Sequence, residues 1–133
     1  MKKPISLLFF LTICIVSFAQ SKIDQDLEKC LSQRNSTAGQ ISCVTSARDS
    51  WDKELNKSYI SLSQKLTKTG KKELIEAQRN WIKFRDSEIR LIEKYYFDVK
   101  TGTLFYLIAE NKKLEIVKER VLQLEEYDKQ FDY

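Results

Sequence analysis

Glycine and proline are almost absent from this chain, and their scarcity constrains its fold more than any other feature. The 133 residues include three glycines and one proline, Pro4, which lies near the N-terminus. Long segments therefore run without a residue that breaks a helix or forms a tight turn. Runs of alternating β-branched residues, which would indicate strands, are also missing. The sequence predicts an all-α protein.

Apolar residues recur at three- and four-residue spacing along three long segments, as in amphipathic helices. The predicted long helices span about residues 38–67, 71–99 and 104–128, and a shorter one spans about 22–33. Tyr95-Tyr96-Phe97, near the end of the segment at residues 71–99, is predicted to pack partly in the core and to close one end of a bundle. A platform for a ligand is the alternative.

Short polar breaks separate the predicted helices. Ser21 can cap the first helix, because Asp24 follows at the spacing of a capping box. Gly70 is expected at the end of the next helix, and Thr103 is a candidate N-cap for the last one. Connections this short join antiparallel neighbours. We therefore expect a small antiparallel bundle of three long helices, with the short first helix attached to it.

The first 19 residues have the layout of a secretory signal peptide. Positively charged Met1-Lys2-Lys3 precedes an apolar run, and Ser17-Phe18-Ala19 supplies the small residues that signal peptidase reads. We expect cleavage after Ala19, which leaves a single domain at residues 20–133 in the periplasm or the medium. An uncleaved membrane anchor is the alternative, although the apolar run is shorter than the roughly 20 residues that a bilayer crossing needs.

The cysteines are consistent with an exported protein. Cys14 would leave with the signal peptide; lipidation at Cys14 is an alternative, but bulky Ile13 stands where a lipobox has a small residue. Cys30 and Cys43 remain, and an even number in an exported protein suggests one disulfide. Two free thiols or an intermolecular bridge are the other arrangements.

Composition argues against several classes of activity. The chain has no histidine, which removes Ser-His and Cys-His nucleophile pairs and histidine-bearing metal motifs. Without Lys2 and Lys3 it has 21 basic and 19 acidic residues, a net charge of +2, so nucleic-acid binding has no electrostatic support. There is no glycine-rich phosphate loop. We predict a protein that is not an enzyme, with no catalytic residues, no metal site and no cofactor.

Two segments place polar groups among aromatic residues on helix faces that should point inward. The first carries Asp52, Asn56 and Tyr59, and the second carries Gln78, Trp81 and Arg85. One interpretation is a buried polar network in which Asp52 accepts from Arg85, so that the register between two helices is fixed. The other is a protein-binding surface anchored by Trp81 and Arg85, since Trp, Tyr and Arg often anchor interfaces.

These residues belong to a longer pattern that resembles the LprI-type lysozyme inhibitor family, a small exported domain formerly of unknown function. The matching residues are Cys30, Cys43, Asp52, Leu55, Asn56, Tyr59, Leu74, Ala77, Gln78, Trp81, Phe84, Arg85, Asp86, Gly102, Thr103, Glu119, Arg120 and Leu124. Many similar proteins carry two further cysteines, and both are missing here, which leaves Cys30 and Cys43 as the remaining pair. The resemblance implies a helical domain, export and lysozyme inhibition by non-covalent contact.

The resemblance also implies a lysozyme, or another envelope protein, as partner. Common animal lysozymes are strongly basic, so an inhibitor benefits from an acidic face. The last helix offers one, with Glu110, Glu115, Glu119, Glu125, Glu126, Asp128 and Asp132. The disulfide loop at residues 34–42 is the candidate for insertion into an enzyme cleft. The alternative function is a structural or envelope-stress accessory domain that does not bind lysozyme.

Overall fold

The computed structural model describes residues 21–132, so the predicted signal peptide and Cys14 lie outside the described residues. Four α-helices form: α1 at Lys22–Ser32, α2 at Thr37–Lys65, α3 at Lys68–Glu93 and α4 at Thr103–Lys129. A π-helical segment, Lys94–Val99, extends α3, and a 3-10 turn, Gln130–Asp132, follows α4. Within the described residues there is no strand. The prediction of three long helices and one short helix is confirmed.

Hydroxyl side chains begin three of the four helices by accepting a hydrogen bond from an otherwise unpaired main-chain N–H. The bonds run from Asp24 N–H to Ser21 Oγ (3.1 Å), from Gly39 N–H to Ser36 Oγ (3.1 Å) and from Gly70 N–H to Thr67 Oγ1 (3.2 Å). The predicted cap at Ser21 is therefore confirmed. Gly70, in contrast, lies in the first turn of α3, so its predicted place at the end of a helix was wrong. The reason is that α2 ends at Lys65 and Thr67 already caps a new helix.

Helix α4 begins on a glycine instead of a hydroxyl residue. Gly102 occupies the N-cap with φ of +110°, a conformation that L side chains rarely adopt. Its carbonyl accepts from Phe105 N–H at 3.2 Å. Thr103 is the first residue inside the helix, so its predicted capping role was wrong. The turn between α3 and α4 therefore requires a positive φ at the N-cap position, and Gly102 provides it.

Helices α2 and α4 make the most extensive packing contact in the bundle although they are not consecutive in sequence. They run parallel, since ion pairs join Arg48 to Glu110 near one end and Lys65 to Asp128 near the other. Helix α3 returns antiparallel to both, and it approaches α2 closely at few positions. Short connections therefore set the helix directions as expected, but the closest neighbours are the first and third long helices.

The core lies between α2 and α4. Its buried members are Val44, Ala47, Trp51, Leu55 and Leu62 from α2, Leu74 from α3, and Leu114, Val117, Val121 and Leu124 from α4. Helix α1 covers one side through partly buried Ile23, Leu27 and Leu31, and Trp81 of α3 packs against the cluster from another side. Helix α3 thus contributes a single fully buried residue to this cluster, which leaves part of the space between α3 and α4 open.

The disulfide between Cys30 and Cys43 is present and joins α1 to α2, with the two Cα atoms 5.8 Å apart. Cys43 is buried, whereas Cys30 is partly buried. The short first helix is therefore fastened covalently to the bundle, as the sequence predicted.

Aromatic residues gather where α3 passes into α4. Tyr96 stacks on Phe105 with ring centroids 6.4 Å apart, and Phe97 stacks on Tyr106 at 4.7 Å. Tyr95 meets Tyr96 edge-on at 4.9 Å and is itself exposed. These rings close one end of the bundle, as predicted for Tyr95-Tyr96-Phe97, but none of these three side chains is fully buried.

Candidate functional site

The predicted bond between Asp52 and Arg85 does not form. The side chains of Asp52 and Asn56 are exposed, and Asn56 Nδ2 donates to the main-chain oxygen of Asp52 at 3.1 Å. Arg85 donates to Asp86 through Nε and Nη2 at 2.9 and 2.8 Å. The prediction was wrong because α2 and α3 meet at few positions, and Asp52 lies on the solvent side of α2.

Trp81 is the centre of a cluster of arginine and glutamine side chains from α3 and α4, which the sequence predicted in part. It is half-buried, and the guanidinium carbons of Arg85 and Arg120 lie 5.3 and 5.9 Å from its ring centroid. Arg120 Nε donates to Gln78 Oε1 at 3.0 Å, and Arg120 Nη1 donates to Gln123 Oε1. Gln78, Trp81 and Arg85 therefore do share one site, but their partner helix is α4 and not α2.

Burial governs the electrostatics of this cluster. Desolvation lowers the pKa of the Arg120 guanidinium from its ordinary value, and Tyr127 acts weakly in the opposite direction. Cation–π contact with Trp81 compensates part of the lost hydration.

The remaining motif residues on α2, Leu55 and Tyr59, face the core. Leu55 is buried in the core, and Tyr59 packs against it from a partly buried position.

A network of ion pairs that the sequence reasoning missed connects all three long helices. Glu110 of α4 accepts from Arg48 of α2 at 2.7 Å and from Lys113 at 2.9 Å. Lys113 also reaches Glu93 at the end of α3, at 2.7 Å, and only 7% of its side chain is exposed. The network links α2, α3 and α4 through charged side chains, and Asp52 and Arg85 take no part in it.

A signal for this network was present in the sequence. Arg48 stands within the apolar stripe of α2, between Val44 and Trp51, where a charge has to find a buried partner. Lys113 likewise precedes core residue Leu114. The sequence did not reveal the pairs between helices, because Arg48 and Glu110 lie 62 residues apart along the chain and Lys113 and Glu93 lie 20 apart.

Replacing Lys113 with methionine should lower the free energy of unfolding by about 1–3 kcal/mol, because partly buried Glu110 loses one of its two cations while the apolar stem is kept. Urea unfolding followed by circular dichroism measures this change. Lys83→Met, at an exposed lysine of α3, is the matched control and should shift stability by less than about 0.5 kcal/mol. Equal stability of the two variants would contradict a structural role for the network.

The acidic residues of α4 do not form one continuous patch. Glu110 is used in the network, Asp128 accepts from Ser61 and pairs with Lys65, and Glu125 pairs with Lys129. Glu115, Glu119 and Glu126 remain; all are exposed, and within the described residues none forms an ion pair.

The three glutamates that form no ion pair within the described residues lie along the solvent-facing side of α4. Their spacing of four and seven residues places them on one face, together with exposed Leu122. We call Glu115, Glu119 and Glu126 the acidic stripe. The side chain of Asp132 lies outside the described residues.

The predicted inserting loop is mostly helical. Of residues 34–42, only 34–36 lie outside a helix, since α2 begins at Thr37. Gln40 Nε2 donates to the Arg34 main-chain oxygen at 3.3 Å and holds this short connection against α2. The segment is a short connection followed by a helix, because the hydroxyl cap at Ser36 starts α2 so soon after α1. Its insertion into an enzyme cleft stays a prediction.

Residues 21–132 contain neither a metal-binding cluster nor a membrane-spanning helix. No group of three or more cysteine and carboxylate side chains is placed to hold a metal ion there. None of the described helices combines the length and apolar character that a membrane crossing requires.

Comparisons with known proteins identify the family of this chain. Residues 28–124 match the family described as "Lysozyme inhibitor LprI", a range that contains both cysteines, the Trp81 cluster and Arg120. An uncharacterized protein from Burkholderia thailandensis, known from a crystal structure, aligns with a TM-score of 0.79 and 30% sequence identity. The alignment covers 85% of this chain and 56% of the Burkholderia chain, so this chain spans about half the length of that relative. No curated protein sequence significantly matches the present chain. The family match covers well over half of the 133 residues, and the chain therefore belongs to the LprI lysozyme inhibitor family.

Proposed function

We propose that the protein is exported and inhibits a lysozyme by non-covalent contact. The observation that carries this proposal is the family match over residues 28–124, since the family is described by that activity. Export agrees with the secretory layout of residues 1–19 and with the Cys30–Cys43 disulfide, because disulfides persist in oxidising compartments. Cleavage after Ala19 is part of the proposal.

We infer that the acidic stripe on α4 is the surface that meets the enzyme. Glu115, Glu119 and Glu126 are exposed and are not neutralised within the described residues. A basic lysozyme would be attracted to this face, and exposed Leu122 in the same line offers an apolar contact. Complementary charge accelerates association and orients the partners. The attraction should weaken at high ionic strength, because salt screens exposed charges.

The first experiment titrates the oxidised protein into basic lysozymes that act on cell-wall suspensions. Saturable inhibition near equimolar amounts is expected. The absence of inhibition at large excess, with protein shown folded by circular dichroism, would contradict the proposal and favour an accessory role in the envelope.

Charge reversal tests the contact surface. Glu115→Lys with Glu119→Lys should weaken inhibition by about tenfold or more, because like charges would then face a basic enzyme. The matched control is Asp49→Lys with Asp52→Lys, two exposed aspartates on α2 that change the net charge equally. The control should inhibit like the parent. If both double variants inhibit as strongly as the parent protein, the contact lies elsewhere. If both lose inhibition to the same extent, the effect comes from net charge and not from a defined surface.

A further inference from the structure

An open groove lies between the C-terminal parts of α2 and α4 and the beginning of α3. Its volume is about 730 Å³, which falls within the range of about 300–1,000 Å³ that is usual for small-molecule sites. Most of its lining is apolar: Leu62, Leu66, Leu74, Ala77, Leu124 and Phe131. Phe131 stands at the rim with 51% of its surface exposed. The groove exists because α3 places small Ala77 after Leu74 and so leaves the space toward α4 unfilled.

Arg120 lies in this groove as a buried cation that forms no ion pair with the described residues. Only 8% of its surface is exposed, and its two hydrogen-bond acceptors are the neutral amide oxygens of Gln78 and Gln123. Among residues 21–131 no carboxylate lies within ion-pair distance of it, although Glu73 also lines the groove. Nη2 has no hydrogen-bond partner among these residues. A buried charge in such surroundings is costly unless an anion compensates it.

We propose that this groove binds a free single-chain amphiphile of the fatty-acid type, with its carboxylate on Arg120 and its tail along Leu66 and Phe131. The guanidinium supplies an unused donor at Nη2, and charge-assisted bonds to carboxylates are among the strongest in proteins. The apolar lining would gain from burying a hydrocarbon chain. A neutral amphiphile would leave Arg120 uncompensated, and a cationic one would be repelled by it. This proposal does not depend on lysozyme inhibition.

The test compares three ten-carbon amphiphiles below their micelle concentrations: decanoate, decyl maltoside and decyltrimethylammonium. Each is titrated by calorimetry into the protein, expressed with its own N-terminal segment and purified in oxidised form. Decanoate should bind at one site and raise the melting temperature. The other two should bind about tenfold more weakly or not at all, since a hydrogen bond to a charged group discriminates to that extent.

Three substitutions test whether binding occurs in the groove. Ala77→Trp fills it and should abolish decanoate binding, whereas Ile75→Trp, at a 40% exposed residue of the same helix outside the lining, should not. Arg120→Gln should remove the preference for decanoate over decyl maltoside. If Arg120→Gln fails to fold, the Ala77→Trp and Ile75→Trp pair still decides the question.

Several outcomes would overturn the proposal. Equal affinity for all three amphiphiles would remove the role of Arg120, and decanoate binding that survives Ala77→Trp would place it elsewhere. A dimer that Ala77→Trp dissociates would assign the groove to a second copy of the chain. Sedimentation with phosphatidylglycerol vesicles without binding of free decanoate would assign it to a membrane surface.

Discussion

Replacing Leu114 with alanine is expected to lower the free energy of unfolding by about 2–5 kcal/mol. Leu114 lies on α4 in the centre of the core, with 1% of its surface exposed. Alanine would remove buried methyl groups and leave a cavity, because α2 and α4 are held by several other contacts and cannot collapse fully around it. Urea unfolding followed by circular dichroism at 222 nm measures the change. A domain of this size has a total stability of about 5–15 kcal/mol, so the loss should be easy to detect.

The matched control for this prediction lies on the same helix. Leu122 has 48% of its surface exposed, and Leu122→Ala should change the free energy of unfolding by no more than about 0.5 kcal/mol. The two variants delete the same atoms from helix-interior positions, so helix propensity cancels between them. Similar losses from both would mean that α4 is rotated relative to the arrangement described above.

Removal of the disulfide, by Cys30→Ala with Cys43→Ala, is expected to cost about 2–5 kcal/mol. The bridge closes a loop with a sequence separation of 13 residues, so the unfolded chain without it has more conformations to lose on folding. It also fastens α1, which is short and has no fully buried residue of its own. An isolated helix of that length is marginal in water. Guanidinium unfolding of the double variant and the parent measures the effect.

Reduction of the parent protein serves as the control for this second prediction. The parent in excess thiol should unfold at the same denaturant concentration as the double alanine variant, because both lack the bridge while the rest of the chain is unchanged. Retained stability in both would show that the non-covalent contacts of α1 are sufficient. The principal such contacts are the ion pair between Asp24 and Lys118 at 3.0 Å and the packing of Leu27 and Leu31.

The two proposed surfaces occupy different sides of α4. The acidic stripe faces solvent, whereas Arg120 and Tyr127 face the groove toward α3. Charge reversal at Glu115 and Glu119 therefore should not alter decanoate binding, and Ala77→Trp should not alter lysozyme inhibition. Each proposal can fail while the other survives, which keeps their tests independent.

The helices, the disulfide and the closed aromatic end could be predicted from the sequence because each depends on residues close together in the chain. Apolar spacing defined the long helices to within a few residues, and an even cysteine count indicated the bridge. Gly70 and Thr103 were assigned wrongly for a related reason. A polar or glycine-rich break marks a boundary between helices, but it does not reveal which residue adopts the capping conformation.

The spacing of apolar residues was sufficient to predict which helix faces are apolar, and therefore that the helices form a bundle. The pairing of α2 with α4, in contrast, is a property of the tertiary structure, and it brings charged side chains of the two helices together. It brings Arg48 within 2.7 Å of Glu110 and leaves Asp52 in solvent. The approach of α3 to α4 places Arg120 beside Gln78, with no carboxylate at ion-pair distance among the described residues. Ion pairs form only between atoms that lie a few ångströms apart, and here the two partners belong to helices that are not consecutive in the sequence. Helical periodicity within one segment therefore cannot show which charged residues will meet.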